Sequence, residues 1–299
     1  MKVIYSDGYD LSLGNHVFPS QKYRLAMERL VERSVVAEGD VVEPPRARDE
    51  EVELVHSPGY VSRLKTGALS REEILRLEVP YSRRFVDAVW LSAGGTIEAC
   101  RRALEEGISV NLSGGFHHAF AGHGEGFCAL NDVAIGMRTM QKERRIHTAM
   151  VVDCDVHHGN GTAAIFHNDP TVFTLSLHQL NNYPYIKPPS NIDVHLDDGT
   201  ADEEYLDRLQ DALQRALAEF NPGLIVYLAG ADPYCQDQLG GLSLTIDGLK
   251  RRDALVFREA GARRIPVAAT LAGGYAVDVN DTVAIHVNTV RSALESASR

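Results

Sequence analysis

Val151-Val-Asp-Cys-Asp-Val-His-His-Gly-Asn-Gly161 decides how the rest of the chain is read. It follows Ala149-Met150 and begins as the apolar, β-branched run of a buried strand. The run then breaks into two carboxylates, two imidazoles and two glycines. Asp155 and His157 are one residue apart, so the period of two in a strand puts both side chains on one face. A carboxylate oxygen beside an imidazole nitrogen is half of a site for zinc or a similar divalent ion. A strand ending in a polar turn could use the same histidines as caps and hydrogen-bonding groups. Asp-x-Asp-x-His-His-Gly-x-Gly sets too many costly groups against an apolar strand for that, because buried charges persist only when paired or metal-bound.

The whole chain bounds what can surround this stretch. Its 299 residues, 44% of them hydrophobic, can bury the core of one large α/β domain or two smaller ones. No apolar run approaches a membrane span, and Met-Lys-Val-Ile-Tyr lacks the form of a signal peptide, so a cytoplasmic protein away from membranes is expected. Cys100, Cys128, Cys154 and Cys235 are scattered, without the short paired spacing of a zinc ribbon or disulfide framework. A net charge of −11 argues against direct nucleic-acid binding and is compatible with cationic substrates. The histidines are concentrated: eight of twelve lie between His117 and His178.

Outward from the opening stretch, strands and helices alternate. Strands are expected at residues 3–5, 108–112, 171–177, 224–229 and 266–271. Helices are expected at 22–33, 85–106, 131–142 (with Asn131-Asp132 as N-cap), 161–166, 201–220, 247–259 and 281–294. In the 201–220 helix, Leu206, Leu209, Leu213, Leu217 and Phe220 step by three and four. Residues 46–53 read as a solvated charged face, 66–81 as a flexible loop over a site, and 179–200, with Pro184, Pro188 and Pro189, as a long irregular stretch. No internal repeat or low-complexity linker divides the chain. The alternation predicts a single-domain, three-layer α/β/α fold over residues 1–299 with a central, mostly parallel sheet.

Polar groups fall at strand ends, where ligands bind in open α/β sheets. The 108–112 strand leads to His117-His118, the central strand to Asp153, Asp155 and His157, the 224–229 strand to Asp232, and the 266–271 strand to Gly273-Gly-Tyr275. Asp155, His157 and Asp232 supply three ligands for a catalytic zinc with an open position. His117-His118 offers a general base and acid, and Asp153 or the Asn160 amide could orient those rings. Tyr275 could donate to a developing oxyanion, or be an ordinary core tyrosine. Gly122-x-Gly-x-Gly126 has the wrong spacing for a dinucleotide fingerprint.

Gly114-Gly-Phe-His-His118, Gly126-Phe-Cys-Ala-Leu-Asn-Asp132, Asp153-Cys-Asp-Val-His-His-Gly-Asn-Gly161, Ala229-Gly-Ala-Asp232 and Gly273-Gly-Tyr275 together resemble the histone deacetylase superfamily, on the arginase/deacetylase-like α/β fold. They occur in the family's order and span most of the chain. Asp237-Gln-Leu-Gly-Gly-Leu-Ser243, Asp253-Ala-Leu-Val-Phe257 and Tyr183-Pro184 resemble the class IV branch and its bacterial relatives. The resemblance implies zinc, or ferrous iron in its place, on Asp155, His157 and Asp232. It implies His118 as principal base and acid, His117 as electrostatic helper and Tyr275 as carbonyl polariser. Gly126, Phe127 and Tyr183 would wall an acyl-lysine tunnel. A structural potassium is implied near Asp153, Asp155, His157, Ser176 and Leu177, and a second near Phe166 and Val172. Asn160 stands where class I has an aspartate, and Gln238 replaces a frequent arginine.

The leading expectation is a zinc-dependent amidohydrolase that removes an acetyl or longer acyl group from an acylated lysine of a protein or peptide. An acetylpolyamine or other small acylated amine is the second substrate class, ranked lower because no long acidic insertion is visible. A metal-binding partner protein without turnover is the third reading. A binuclear manganese ureohydrolase lacks its extra bridging carboxylates here. Oligomeric state is left open by the sequence.

Overall fold

β4 (Ala149–Asp153) is buried on both faces, as its unbroken apolar run requires. It lies inside one eight-stranded sheet of order β2-β1-β3-β8-β7-β4-β5-β6. The other strands are β1 (Lys2–Ile4), β2 (Val41–Val42), β3 (Ile108–Asn111), β5 (Val172–Gln179), β6 (Ile192–Leu196), β7 (Ile225–Leu228) and β8 (Val267–Thr270). Every pairing between them is parallel. The structure, a computed structural model, describes residues 1–297.

Parallel neighbours need crossovers, and helices supply most of them; β5 and β6 are joined by an irregular segment instead. The longest helix, α5 (Arg83–Glu106), packs over β1, β3 and β8 and against α6 (Asp132–Lys142). Its N-cap Ser82 accepts from the Phe85 N–H, a cap worth about 1 kcal/mol. A second helical layer runs α1 (Lys22–Glu32), α10 (Val279–Ala297), α9 (Ile246–Ala262), α8 (Asp202–Glu219), each packed on the next. The predicted stripe of α8 is its buried face, through Leu206, Leu209 and Leu213, and Phe220 at its end packs on Phe173 with ring centroids 5.4 Å apart. The three-layer α/β/α arrangement is thus the one the alternation predicts. No helix among the described residues is long and apolar enough to cross a membrane.

Three expectations are corrected. The 179–200 stretch contains β6, a strand whose five alternating residues follow a proline-broken segment and which is held by its pairing with β5. The 66–81 stretch is not a loop: it holds the end of α3 (Pro58–Thr66) and all of α4 (Arg71–Leu77), whose Ser70 and Glu73 form a capping box. Residues 46–53 are not a solvated face throughout, because α2 (Asp49–Val52) buries Glu51 beside Arg48 at 2.9 Å and Arg101 at 3.5 Å.

The strand order reverses around β8, β7 and β4, which brings their carboxyl ends together at the centre. Asp153 pairs with Leu228, Leu228 with Thr270, and Thr270 with Asn111. Four strands therefore end at one level, and each is followed within a few residues by a polar group.

Candidate active site

Just past that level the chain delivers Asp155 and His157 after β4, Asp232 after β7, Gly273–Tyr275 after β8 and His117–His118 after β3. Asp155, His157 and Asp232 are buried, and each turns a donor atom to within 4.8 Å of the other two. Nδ1 of His157 stands 3.0 Å from Oδ1 of Asp155 and 3.5 Å from Oδ2 of Asp232. Asp232 Oδ1 accepts from the Val156 N–H at 2.9 Å, while its Oδ2 is buried without a hydrogen-bond partner among the described residues. Gly273 closes the cradle. Its N–H donates to Asp155 Oδ2 at 2.9 Å, and a Cβ there would overlap Asp232 Oδ2 and come within 2.6 Å of Asp155 Oδ2.

The charges in this cradle do not balance. Burial and the Asp155 charge push Asp232 up to about 7. Burial opposes a charge on His157, yet the hydrogen bond to Asp155 and the charges of Asp155 and Asp232 lift it to about 10. Burial likewise favours neutral Asp155, but His117 and His157 hold it well below the usual carboxylate range. Two carboxylates share one imidazole, one carboxylate oxygen has no partner, and the donor set is two oxygens and a nitrogen. Those residues fit a divalent cation of the zinc or ferrous kind.

The twin imidazoles differ by their outer partners. His117 Nδ1 is 2.7 Å from Asp153 Oδ2, and the rings of His117 and His118 lie 4.1 Å apart. Against burial, the charges of Asp153 and Asp155 raise His117 to about 9. His118 Nδ1 is 2.7 Å from Asn160 Oδ1. Asn160 Nδ2 donates to Glu125 Oε1 at 2.7 Å, and a carboxylate can only accept, so the amide oxygen faces His118. His118 therefore carries its proton on Nδ1 and leaves Nε2 with a lone pair. Burial and the neighbouring His117 and His157 push it well below its ordinary value.

Several residues that hold this geometry escaped the sequence reading. Asn131 and Asp132 do more than cap a helix. Asp132 accepts from the Gly115 and Phe116 N–H groups at 3.0 and 2.8 Å, and Asn131 Nδ2 donates to Ala119 O at 3.1 Å, so the pair clamps both sides of His117–His118. Arg252 is fully buried, paired with Asp253 at 2.8 Å, and donates to Gly230 O at 2.6 Å and Cys154 O at 3.3 Å. It thereby fixes the loops that carry Asp232 and Asp155. Asp237 Oδ2 accepts from the Tyr275 N–H at 2.6 Å, and Gln238, where an arginine is frequent, donates to Tyr275 O at 2.8 Å. Lys22 Nζ donates to Ala272 O at 2.8 Å beneath the same turn. Asn131-Asp132, Asp237-Gln238 and Asp253 stand in motifs visible in the sequence, without these roles; Arg252 and Lys22 act across the fold from helices.

A cavity of about 210 Å³ opens onto His118, His157 and Tyr275 and is walled by Gly126, Phe127, Tyr183 and Leu239. Gly126 and Phe127 both have left-handed backbones, φ 52° and 67°. Their N–H groups donate to Arg76 O at 3.2 Å and Leu77 O at 2.9 Å, so α4 braces the wall. Phe18 packs edge-on against both Phe127 and Tyr275, at 6.2 and 5.8 Å. Tyr183 O–H donates to Glu125 Oε1 at 3.0 Å, the carboxylate that also holds Asn160. Of the residues expected around potassium, Ser176 is the β5 partner of Asp153, and Asp155 N–H donates to Asp153 Oδ1 at 3.1 Å. Phe166 and Val172 flank one turn through Asp169.

Known proteins share both sequence and fold. The family profile described as Histone deacetylase domain matches residues 16–290. An uncharacterised protein of Picosynechococcus sp. is 40% identical over 292 residues, 97% of each chain. Histone deacetylase 2 of Arabidopsis thaliana is 34% identical over 288 residues, 92% of this chain and 74% of its own. The crystal structure of the HDA15 HD domain, 20% identical, shares the fold with a TM-score of 0.81 over 100% of this chain and 94% of that one. The chain belongs to the histone deacetylase family and is a hydrolase of the deacetylase type.

Proposed function

We propose that the protein removes an acyl group, acetyl or longer, from an N-ε-acyl-lysine of a protein or peptide, or from a similar small acylated amine. Zinc, or ferrous iron, would be held by Asp155, His157 and Asp232. What such an ion supplies when bound is Lewis acidity toward an amide carbonyl and a water molecule. One observation carries the reading: beside this cradle, His118 has a free Nε2 lone pair while His117, against Asp153, is biased toward the imidazolium.

His118 takes a proton from the attacking water at Nε2 and returns one to the leaving amine. Asn160 fixes the tautomer through Nδ1. His117, kept cationic by Asp153, stabilises negative charge developing on the carbonyl oxygen without moving its proton. Tyr275 donates its phenolic proton in a hydrogen bond to that oxygen; burial first, then Asp155 and Asp232, push the phenol well above its ordinary value, so it stays protonated. Gly126, Phe127 and Tyr183 line the acyl-lysine and exclude water. We further propose a structural potassium near Asp153, Asp155, His157, Ser176 and Leu177, and a second near Phe166 and Val172. The four cysteines are unpaired, which supports a reducing, cytoplasmic setting.

The test is hydrolysis of a lysine-peptide series, acetyl to myristoyl, by zinc-loaded protein. Rates highest for acetyl mean a narrow tunnel, and rates highest for long chains a fatty-acyl hydrolase. A folded, zinc-loaded protein that turns over no member of the series, nor an acetylpolyamine, sinks the proposal.

A further inference from the structure

Away from this site, one face of β5 and β6 carries polar side chains. Ser176 pairs with Asp193 and His178 with His195 across the two parallel strands. Each pair shares a face, and the period of two aligns Ser176 with His178 and Asp193 with His195. The alternate β5 residues, Leu175 and Leu177, are buried apolar groups, so the strand has an apolar face and an equally covered polar one. His158, from the loop after β4, meets this stripe, its ring edge-on to His178 with centroids 4.6 Å apart.

Covering so many polar groups is costly unless each is satisfied, and here they are not. His158 is 0% exposed, yet neither ring nitrogen has a hydrogen-bond partner among the described residues. Its Nε2 stands 3.2 Å from Asp193 Oδ1, near enough for ion pairing but off the line of a hydrogen bond, and Oδ1 also has no hydrogen-bond partner. Asp193 Oδ2 is occupied by the Ser190 N–H at 2.9 Å. His158, His178 and Asp193 each turn a donor atom to within 4.8 Å of the other two.

We propose that His158, His178 and Asp193 form a second site, sharing no residue with the first, for a divalent transition-metal ion. Two imidazole nitrogens and one carboxylate oxygen suit zinc, cobalt or nickel and not magnesium or calcium, which take oxygen. His178 has the outer support of a ligand imidazole: its Nδ1 lies 2.9 Å from Ser176 Oγ, which leaves Nε2 for coordination. That Nε2 now lies 2.9 Å from Nδ1 of His195, an exposed residue on the last strand of the sheet, so the ion has a route from solvent and a water can complete its shell. Bound there, the ion ties the edge strand β6 to the loop that continues from His157. The role is structural, because none of the three residues borders the acyl cavity.

The experiment uses the full chain, stripped with a chelator and titrated with Co2+. Bound metal is counted by equilibrium dialysis, ligand geometry read from the cobalt d–d absorption, and melting temperature followed alongside. The expected result is two equivalents for the wild type and one for Asp155→Asn/Asp232→Asn. That remaining equivalent is lost when Asp193→Asn is added, and again when His178→Gln is added instead. In the double variant, Co2+ still raises the melting temperature. Asp193→Asn alone, at a partly exposed position, takes the wild type from two equivalents to one and covers the case in which the double variant does not fold. A wild type whose stoichiometry and melting response to Co2+ are untouched by Asp193→Asn and by His178→Gln overturns the proposal and leaves a metal-free His158–Asp193 ion pair. An Asp155→Asn/Asp232→Asn variant that binds as much Co2+ as the wild type would instead count against the proposed catalytic centre, so the two failures are distinguishable.

Discussion

The floor of the acyl cavity and its rim are built on different physical terms. Every group on the floor follows a buried parallel strand, and its partners are buried too: Asp153 for His117, Asn160 for His118, Gly273 for Asp155. The rim is made of turns. Gly126 and Phe127 sit in a left-handed backbone held by two carbonyls of α4, and beyond Tyr183 the chain exposes Tyr185 almost fully and most of Ile186. Position on the floor is over-determined, whereas position on the rim hangs on a few bonds. The floor can therefore set reaction chemistry with little tolerance, while the rim can change which acyl chain enters.

The largest effect is expected from the difference between the twin imidazoles. His118→Ala should lower kcat/KM on an acetyl-lysine peptide by about a hundredfold to ten-thousandfold, the usual contribution of a general base, with melting temperature unchanged. His117→Ala should cost less, because it removes a charge and no proton transfer. Equal losses from both, in folded proteins, would break the assignment of distinct roles.

Arg252 tests whether the floor is over-determined. Removing one partner of a buried ion pair costs about 3–5 kcal/mol. Arg252→Ala should lose stability on that scale in urea unfolding, since it leaves the buried Asp253 charge with only the Tyr227 and Thr289 hydroxyls and frees Gly230 O and Cys154 O. A loss under about 1 kcal/mol would mean that the loops bearing Asp155 and Asp232 are held by their other hydrogen bonds and packing without Arg252. Tyr275→Phe comes next. Deleting one oxyanion donor costs about a hundredfold to a thousandfold in kcat, and KM should hold because the ring still packs on Phe18 and Phe127. A fall in KM affinity with kcat intact would make Tyr275 a wall residue.

What was legible in the sequence follows the same division. β4, β7 and β8 read as strands because burial on both faces demands continuous apolar runs, and Asp155, His157 and Asp232 stood out as charges placed against them. β6 alternates apolar and polar through Ile192, Val194 and Leu196, but five residues after a stretch broken by prolines were too short to stand out as an edge strand. α4 was hidden because seven residues rich in charge give little periodicity, and its helix depends on the Ser70 cap. Arg252 and Lys22 lie in stretches whose spacing reads as helix, and nothing in that spacing singles them out. Their partners lie far away in sequence, as with Lys22 and Ala272, so no local pattern marks them as buried.

Glu125 links rim and floor by hydrogen bonds, and it carries the smallest prediction. Its Oε1 accepts from Tyr183 O–H on the rim and from Asn160 Nδ2 on the floor. What Asn160 needs is an acceptor at that point; the charge is secondary, because the amide only has to keep its oxygen toward His118. Glu125→Gln retains an acceptor and should stay within about threefold of wild-type kcat/KM. Glu125→Leu removes it, lets the amide turn its nitrogen toward His118, and should cost about tenfold, with an altered pH profile because His118 then loses its fixed tautomer. Tyr183→Phe loses the same bond from the rim side alone. It should alter KM by about threefold to tenfold, more for long acyl chains than for acetyl, and leave the pH profile in place. If Tyr183→Phe shifts the profile as Glu125→Leu does, rim and floor move as one unit, and occupancy of the tunnel by the acyl chain sets the state of the base.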